Sequence, residues 1–192
     1  EQLQNDYKNQ PEYIPSYAVE LAILTGMRVG EIAALTWDSI SKDGILIDKS
    51  EKYNRKTNTY FIDDTKNKKE RLFPMCDEIS NLLARVKKAE LQNDYICEWV
   101  FANEEGRVHA PVISSCMKNK CRQLGIEERG IHALRKTFNS KIRNIGVAPA
   151  VAATLLGHSI EVNQKYYTFD VTSNDEKKEI VSLINEKLPL AK

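Results

Sequence analysis

Residues 16–37 read SYAVELAILTGMRVGEIAALTW. The first ten are of helical composition and break at Thr25-Gly26; a second helical run, RVGEIAAL, follows at once and ends near Thr36-Trp37. Beyond this pair of helices come three short β-like pieces, GILID (44–48), TNTYFID (57–63) and ERLFP (70–74), rich in Ile, Tyr, Phe and Thr. The polar segments KSEKYNRK and DTKNKK lie between them, which predicts consecutive hairpins and one small three-stranded antiparallel sheet. From Asp77 to about Gln92, Ile79, Leu82, Leu83 and Val86 recur at helical spacing. WVFAN (99–103) fits a short strand or a loop. After Pro111 the pattern is helical over 112–124, 132–145, 149–156, 159–168 and 174–188, with Gly125, Gly130, Gly146 and Gly157 as caps or turns. The fold class is therefore α+β and mainly α-helical, with its sheet near the N-terminal third.

A chain of 192 residues suits one domain with a sizeable core. Residues 1–15, polar and interrupted by Pro11 and Pro15, are expected to be a linker leading into a domain over 16–192. The chain begins at Glu1 and is expected to be a fragment or a processed product. No apolar run approaches the roughly 20 residues that span a bilayer, and no secretory signal is present, so a soluble cytoplasmic domain is expected. Cys76, Cys97, Cys116 and Cys121 are scattered without CxxC spacing, which favours reduced thiols over a zinc site. No metal and no cofactor are expected.

The 28 basic and 27 acidic residues leave a net charge of +1, so distribution says more than the sum. Eight Lys and Arg lie between Lys49 and Arg71, and eight more between Lys118 and Arg143, where only Glu127 and Glu128 oppose them. Two such clusters would let one face approach a phosphate backbone; a solvated charged surface is the plainer alternative.

Chemistry concentrates in a few places. His132 and Arg135 stand at i and i+3 on one helix, where both can reach a shared oxyanion. Arg28 opens a helix against its dipole, and it either serves a tertiary purpose or pairs structurally with Glu31. Lys66, Lys68 and Lys69 crowd a turn that either protects a sheet edge or carries a swinging proton donor. In LLGHSIEVNQKYYTF (155–169), Gly157 can end one helix and Ser159 cap the next, which frees His158 and Tyr167 from opposite sides of a single helix. Tyr166 shares an apolar stripe with Val162 and Phe169, whereas Tyr167 is turned about 100° away, towards Asn163 and Asp170.

Taken in order, TGMRVGEIAALTW, TKNKKERLFP, IHALRKTF, LLGHS and YYTF resemble the catalytic domain of tyrosine recombinases, the family of phage and conjugative-transposon integrases. The resemblance covers roughly residues 16–188. It implies the catalytic-domain fold of that family and makes Arg28 the first catalytic arginine, Lys66 the hairpin lysine, His132 and Arg135 the HxxR pair, His158 the second histidine and Tyr167 the nucleophile. Lys66 is preferred over Lys68 and Lys69 as the first lysine before the ERLFP strand. Lys136 and Phe169 depart from the family, which often has His at both places; neither is a catalytic position.

The implied reaction is site-specific DNA recombination. Tyr167 would attack a phosphodiester, giving a 3′-phosphotyrosine and a free 5′-hydroxyl, and a second 5′-hydroxyl would reverse the step without ATP or metal. The family also implies double-stranded DNA as partner, a bacterial or phage origin and a homo-tetramer on DNA. The tetramer would form through a C-terminal helix carrying Ile180, Val181, Leu183, Ile184 and Leu188, the free fragment being a monomer. An N-terminal DNA-clamping domain is expected outside this chain. The alternatives are relaxation of supercoils, as in the related type IB topoisomerases, or a non-catalytic DNA-binding module of the same fold.

Overall fold

A computed structural model describes residues 2–65, 70–157, 159 and 174–187. Its centre is α2 (Pro15–Thr25), largely apolar and buried over most of its length, with Ile23 exposed and Glu20 partly so. It packs against α4 (Asp77–Gln92), α5 (Ala110–Gln123) and α6 (His132–Asn144). Ala18, Leu21, Leu82, Val86, Ile113 and Phe101 are among the side chains that close this core. The inward face of α4 is the one its apolar spacing predicts, with Ile79, Leu82, Leu83 and Val86 buried. The helix α7 (Pro149–Leu156) packs on α6, and α8 spans Asn174–Lys187. The expected helix over 159–168 falls largely outside the described residues.

Residues 2–9, expected to belong to a linker, form helix α1 (Gln2–Asn9), which is tied down at several points. Tyr7 stacks on Tyr17 with ring centroids 4.4 Å apart, and Asp6 meets the buried Lys120 at 2.6 Å. Arg85 lies 4.7 Å above the Tyr7 ring and pairs with Glu20 at 2.8 Å. Polar composition hid this helix because its anchors are hydrogen bonds and rings rather than an apolar stripe.

The β-region differs from the single three-stranded sheet expected. Strand β1 (Gly44–Ile47) pairs with β4 (Arg71–Pro74), while β2 (Lys49–Asn54) pairs with β3 (Thr59–Asp64), making two antiparallel ladders. The segment read as a turn is thus the strand β2. Its inward residue is Glu51, so no hydrophobic alternation marks it. The Glu51 carboxylate accepts from the Ala110 backbone N–H at 2.8 Å and meets His109 Nδ1 at 2.6 Å. These bonds let a charge take the place of an apolar contact. Across the ladder Lys52 meets Asp63 at 2.6 Å. A third, minimal ladder joins β5 (Ala102–Asn103) to β6 (Gly106–Arg107), so the WVFAN segment ends in a strand. The short helix α3 (Val29–Ala33) lies against β2, α5 and α2. No helix among the described residues is long and apolar enough to cross a membrane.

Candidate active site

Two helices end on left-handed glycines, and their ends meet. Gly26 closes α2 at φ 61°, and Gly157 closes α7 at φ 64°. The last carbonyls of an α-helix have no partner within it and carry the negative end of its dipole. Here guanidinium groups take them. Arg71 Nε donates to Leu155 O at 3.1 Å, Arg135 Nη2 donates to Leu156 O, and Arg28 Nη2 reaches Gly157 O at 3.5 Å. Arg135, only 1% exposed, also donates through Nη1 to Gly26 O at 2.8 Å, so one side chain joins both helix ends.

Arg28 sits at the N-cap of α3 in extended backbone, φ −71° and ψ 144°. Its backbone N–H donates to Glu31 Oε2 at 3.0 Å and its Nη1 to Glu31 Oε1 at 2.6 Å. The same carboxylate receives Arg71 Nη1 at 3.2 Å and Nη2 at 2.6 Å. Burial alone would raise the Glu31 pKa, but hydrogen bonds and charge from Arg71, and then from Arg28, bring it below the ordinary value. The structural pairing of Arg28 with Glu31 and partial exposure of the arginine therefore coexist: the Arg28 side chain is 25% exposed, that of Glu31 1%.

His132 opens α6 one turn before Arg135 and is exposed. Partial desolvation lowers its pKa from the ordinary 6.5, and the nearby charges of Arg135, Lys136 and Arg28 lower it further. Arg28, His132 and Arg135, the three expected site residues within the described part, thus gather where α2 and α7 end. Lys66, His158 and Tyr167 lie outside the described residues, as does Tyr166. The described Gly157 directly precedes His158 in sequence.

Arg71 stands in the expected ERLFP strand and in the basic run but not among the expected site residues, although Arg71 and Phe73 are i, i+2 neighbours on the inward side of β4, a period that could have marked it as buried. The basic cluster 118–143 is also less of a face than its composition suggests. Lys120 is buried on Asp6, Arg122 and Arg129 pair with Glu128 and Glu127, and Arg135 is internal. Lys118, Lys136 and Lys141 remain exposed there, and Lys49, Arg55 and Lys56 on the β2–β3 hairpin.

A methyl group added at Gly157 would meet Arg71 Nη1 at 2.9 Å, in addition to the cost of φ 64°. Gly125, at φ +65°, has open space around it. Both alanine variants should therefore lose about 1–2 kcal/mol from the left-handed backbone. Gly157→Ala should lose measurably more, and thermal melts of the two variants side by side read the difference.

Residues 1–172 match the phage integrase family, and the chain belongs to it. It is 30% identical over 193 residues to a tyrosine recombinase XerC-like protein of Caldanaerobacter subterraneus subsp. tengcongensis, covering 86% of this chain and 48% of that protein. It is 28% identical to the transposase from transposon Tn916 of Enterococcus faecalis, covering 89% and 47%. The chain thus spans about half the length of the curated relatives it matches. In fold it is similar to the Tn1549 transposon integrase in complex with transposon right end DNA, with a TM-score of 0.71 at 20% identity over 88% of this chain and 58% of that one. The XerA recombinase gives 0.68 at 19% identity over 95% and 61%. The mainly helical domain with small antiparallel ladders is therefore the tyrosine recombinase catalytic-domain fold.

Proposed function

We propose that this chain is the catalytic domain of a site-specific DNA recombinase that cuts and rejoins strands through Tyr167. The observation that carries the reading is the gathering of Arg28, His132 and Arg135 at the paired ends of α2 and α7, in a chain of the phage integrase family. Attack on a phosphodiester builds negative charge on its non-bridging oxygens, and fixed guanidinium groups stabilise that charge as it develops. Arg28 and Arg135 take this role, with His158 donating a further hydrogen bond.

Tyr167, with an ordinary pKa of about 10, must give up a proton. His132 accepts it, because its lowered pKa keeps the ring neutral near pH 7. Lys66 protonates the departing 5′ oxygen. The phosphate ends on the Tyr167 oxygen, the proton of the phenol on His132 and that of Lys66 on the 5′-hydroxyl. The ester energy stays in the covalent link, so another 5′-hydroxyl reverses the step. No metal or nucleotide cofactor enters this scheme.

The partner is duplex DNA, approached by the exposed lysines and arginines of the β2–β3 hairpin and α6, in the cytoplasm of a bacterial host. Phosphate contacts of this kind give binding that weakens steeply with salt. Strand exchange between two duplexes calls for four copies. Val181 and Leu183, exposed on α8, support a C-terminal helix that docks on a neighbouring copy; Ile180, Ile184 and Leu188 are outside the described side chains.

The test is a nicked duplex from which cleavage frees a short fragment carrying the new 5′-hydroxyl, which diffuses away, incubated with the protein in a metal chelator. An SDS-stable protein–DNA adduct is expected. Its second-order rate should rise tenfold per pH unit at low pH and level off below pH 6.5, the sign expected for a base with a lowered pKa. Absence of any adduct would overturn the reading.

A further inference from the structure

We infer that Arg71 is a positioning residue of this site, taking up the charge of Glu31 so that Arg28 keeps a net positive charge to offer a phosphodiester. The inference rests on the strand-transfer reading above and adds a residue to it. The Glu31 side chain is 1% exposed and both of its oxygens are bonded, so its charge must be balanced inside the protein. Arg28 alone would balance it one for one, leaving an ion pair with no net charge. Arg71, with its side chain 8% exposed, grips the same carboxylate with both Nη atoms. Two guanidinium groups on one carboxylate leave one positive charge over, and Arg28 is the more exposed of the two.

A second, independent contact ties Arg71 to the site. Its Nε holds Leu155 O at 3.1 Å, and its guanidinium fills the space beside Gly157 that any Cβ would enter. Arg71 thus joins Glu31, in the first turn of α3, to the last turn of α7; the first of these helices is N-capped by Arg28 and the second leads to His158. A lysine could balance the charge but could not make the paired grip and the Leu155 bond at once.

The test compares wild type, Arg71→Ala, Glu31→Gln and the double variant in two assays. The first is an NMR titration of His132 in the DNA-free chain, which senses Arg28 charge without any reaction. Arg71→Ala should move the His132 midpoint up towards the ordinary histidine value, because Glu31 then cancels Arg28; adding Glu31→Gln should bring it back down. The second is the adduct rate, expected to fall about 10–100-fold in Arg71→Ala. The double variant should recover in part, even though its melting midpoint stays low for want of the Leu155 bond. If Arg71→Ala does not fold, Arg71→Gln removes the charge while keeping donors for Leu155 O. A His132 midpoint that does not move, or a double variant no faster than Arg71→Ala, overturns the proposal. If the midpoint moves as expected while wild type forms no adduct, the strand-transfer reading fails and the charge balance stands.

Discussion

Arg135→Ala is expected to abolish covalent adduct formation, by at least about a hundredfold, and to lower the melting midpoint as well. Both effects follow from its place. The guanidinium is buried and donates to Gly26 O and Leu156 O, which belong to different helix ends. Removing it leaves buried carbonyls without a charged donor, a cost of about 1–3 kcal/mol each. Arg135→Lys separates the two roles. It keeps a positive charge, but a single ammonium cannot span both carbonyls and also fork two phosphate oxygens. The lysine variant should therefore recover part of the stability and DNA binding but little of the cleavage rate. Equal recovery of all three would mean that Arg135 only holds the helices together.

Tyr167→Phe carries the other large effect: complete loss of the adduct with stability and DNA affinity little changed. The substitution removes one oxygen, and that oxygen is the one proposed to bond to phosphorus. Tyr166→Phe should keep the adduct, since Tyr166 is assigned to the apolar stripe with Val162 and Phe169. The contrast is sharp because the two tyrosines are adjacent and chemically identical, so general damage to the segment would affect both variants alike.

Much of the helical frame was legible in the sequence because it rests on local signals. The apolar spacing of Ile79, Leu82, Leu83 and Val86 fixes α4, and glycines at 26 and 157 mark the ends of α2 and α7. The strand β2 escaped because its buried residue is Glu51, a charge satisfied by His109 and the Ala110 backbone far along the chain. Helix α1 escaped for a related reason, its anchor Lys120 being 114 positions from Asp6. At the site, Arg28, His132 and Arg135 stood out as residue types in suggestive places. What holds Arg28 and Arg135 in place, Arg71 to Glu31 and Leu155 and Arg135 to Gly26 and Leu156, is a set of long-range pairings that no local pattern encodes. Composition likewise overstated the basic face, because Arg122 and Arg129 are spent on their own neighbours Glu128 and Glu127.

The most direct measurement digests the wild-type protein–DNA adduct with trypsin and sequences the nucleotide-linked peptide by mass spectrometry. Cleavage after Lys165 releases a peptide beginning Tyr166-Tyr167, whose fragment ions distinguish the two. A 3′-phosphodeoxynucleotide on the Tyr167 oxygen is the expected result. The same adduct on Tyr166, or on any residue outside this peptide, would contradict it.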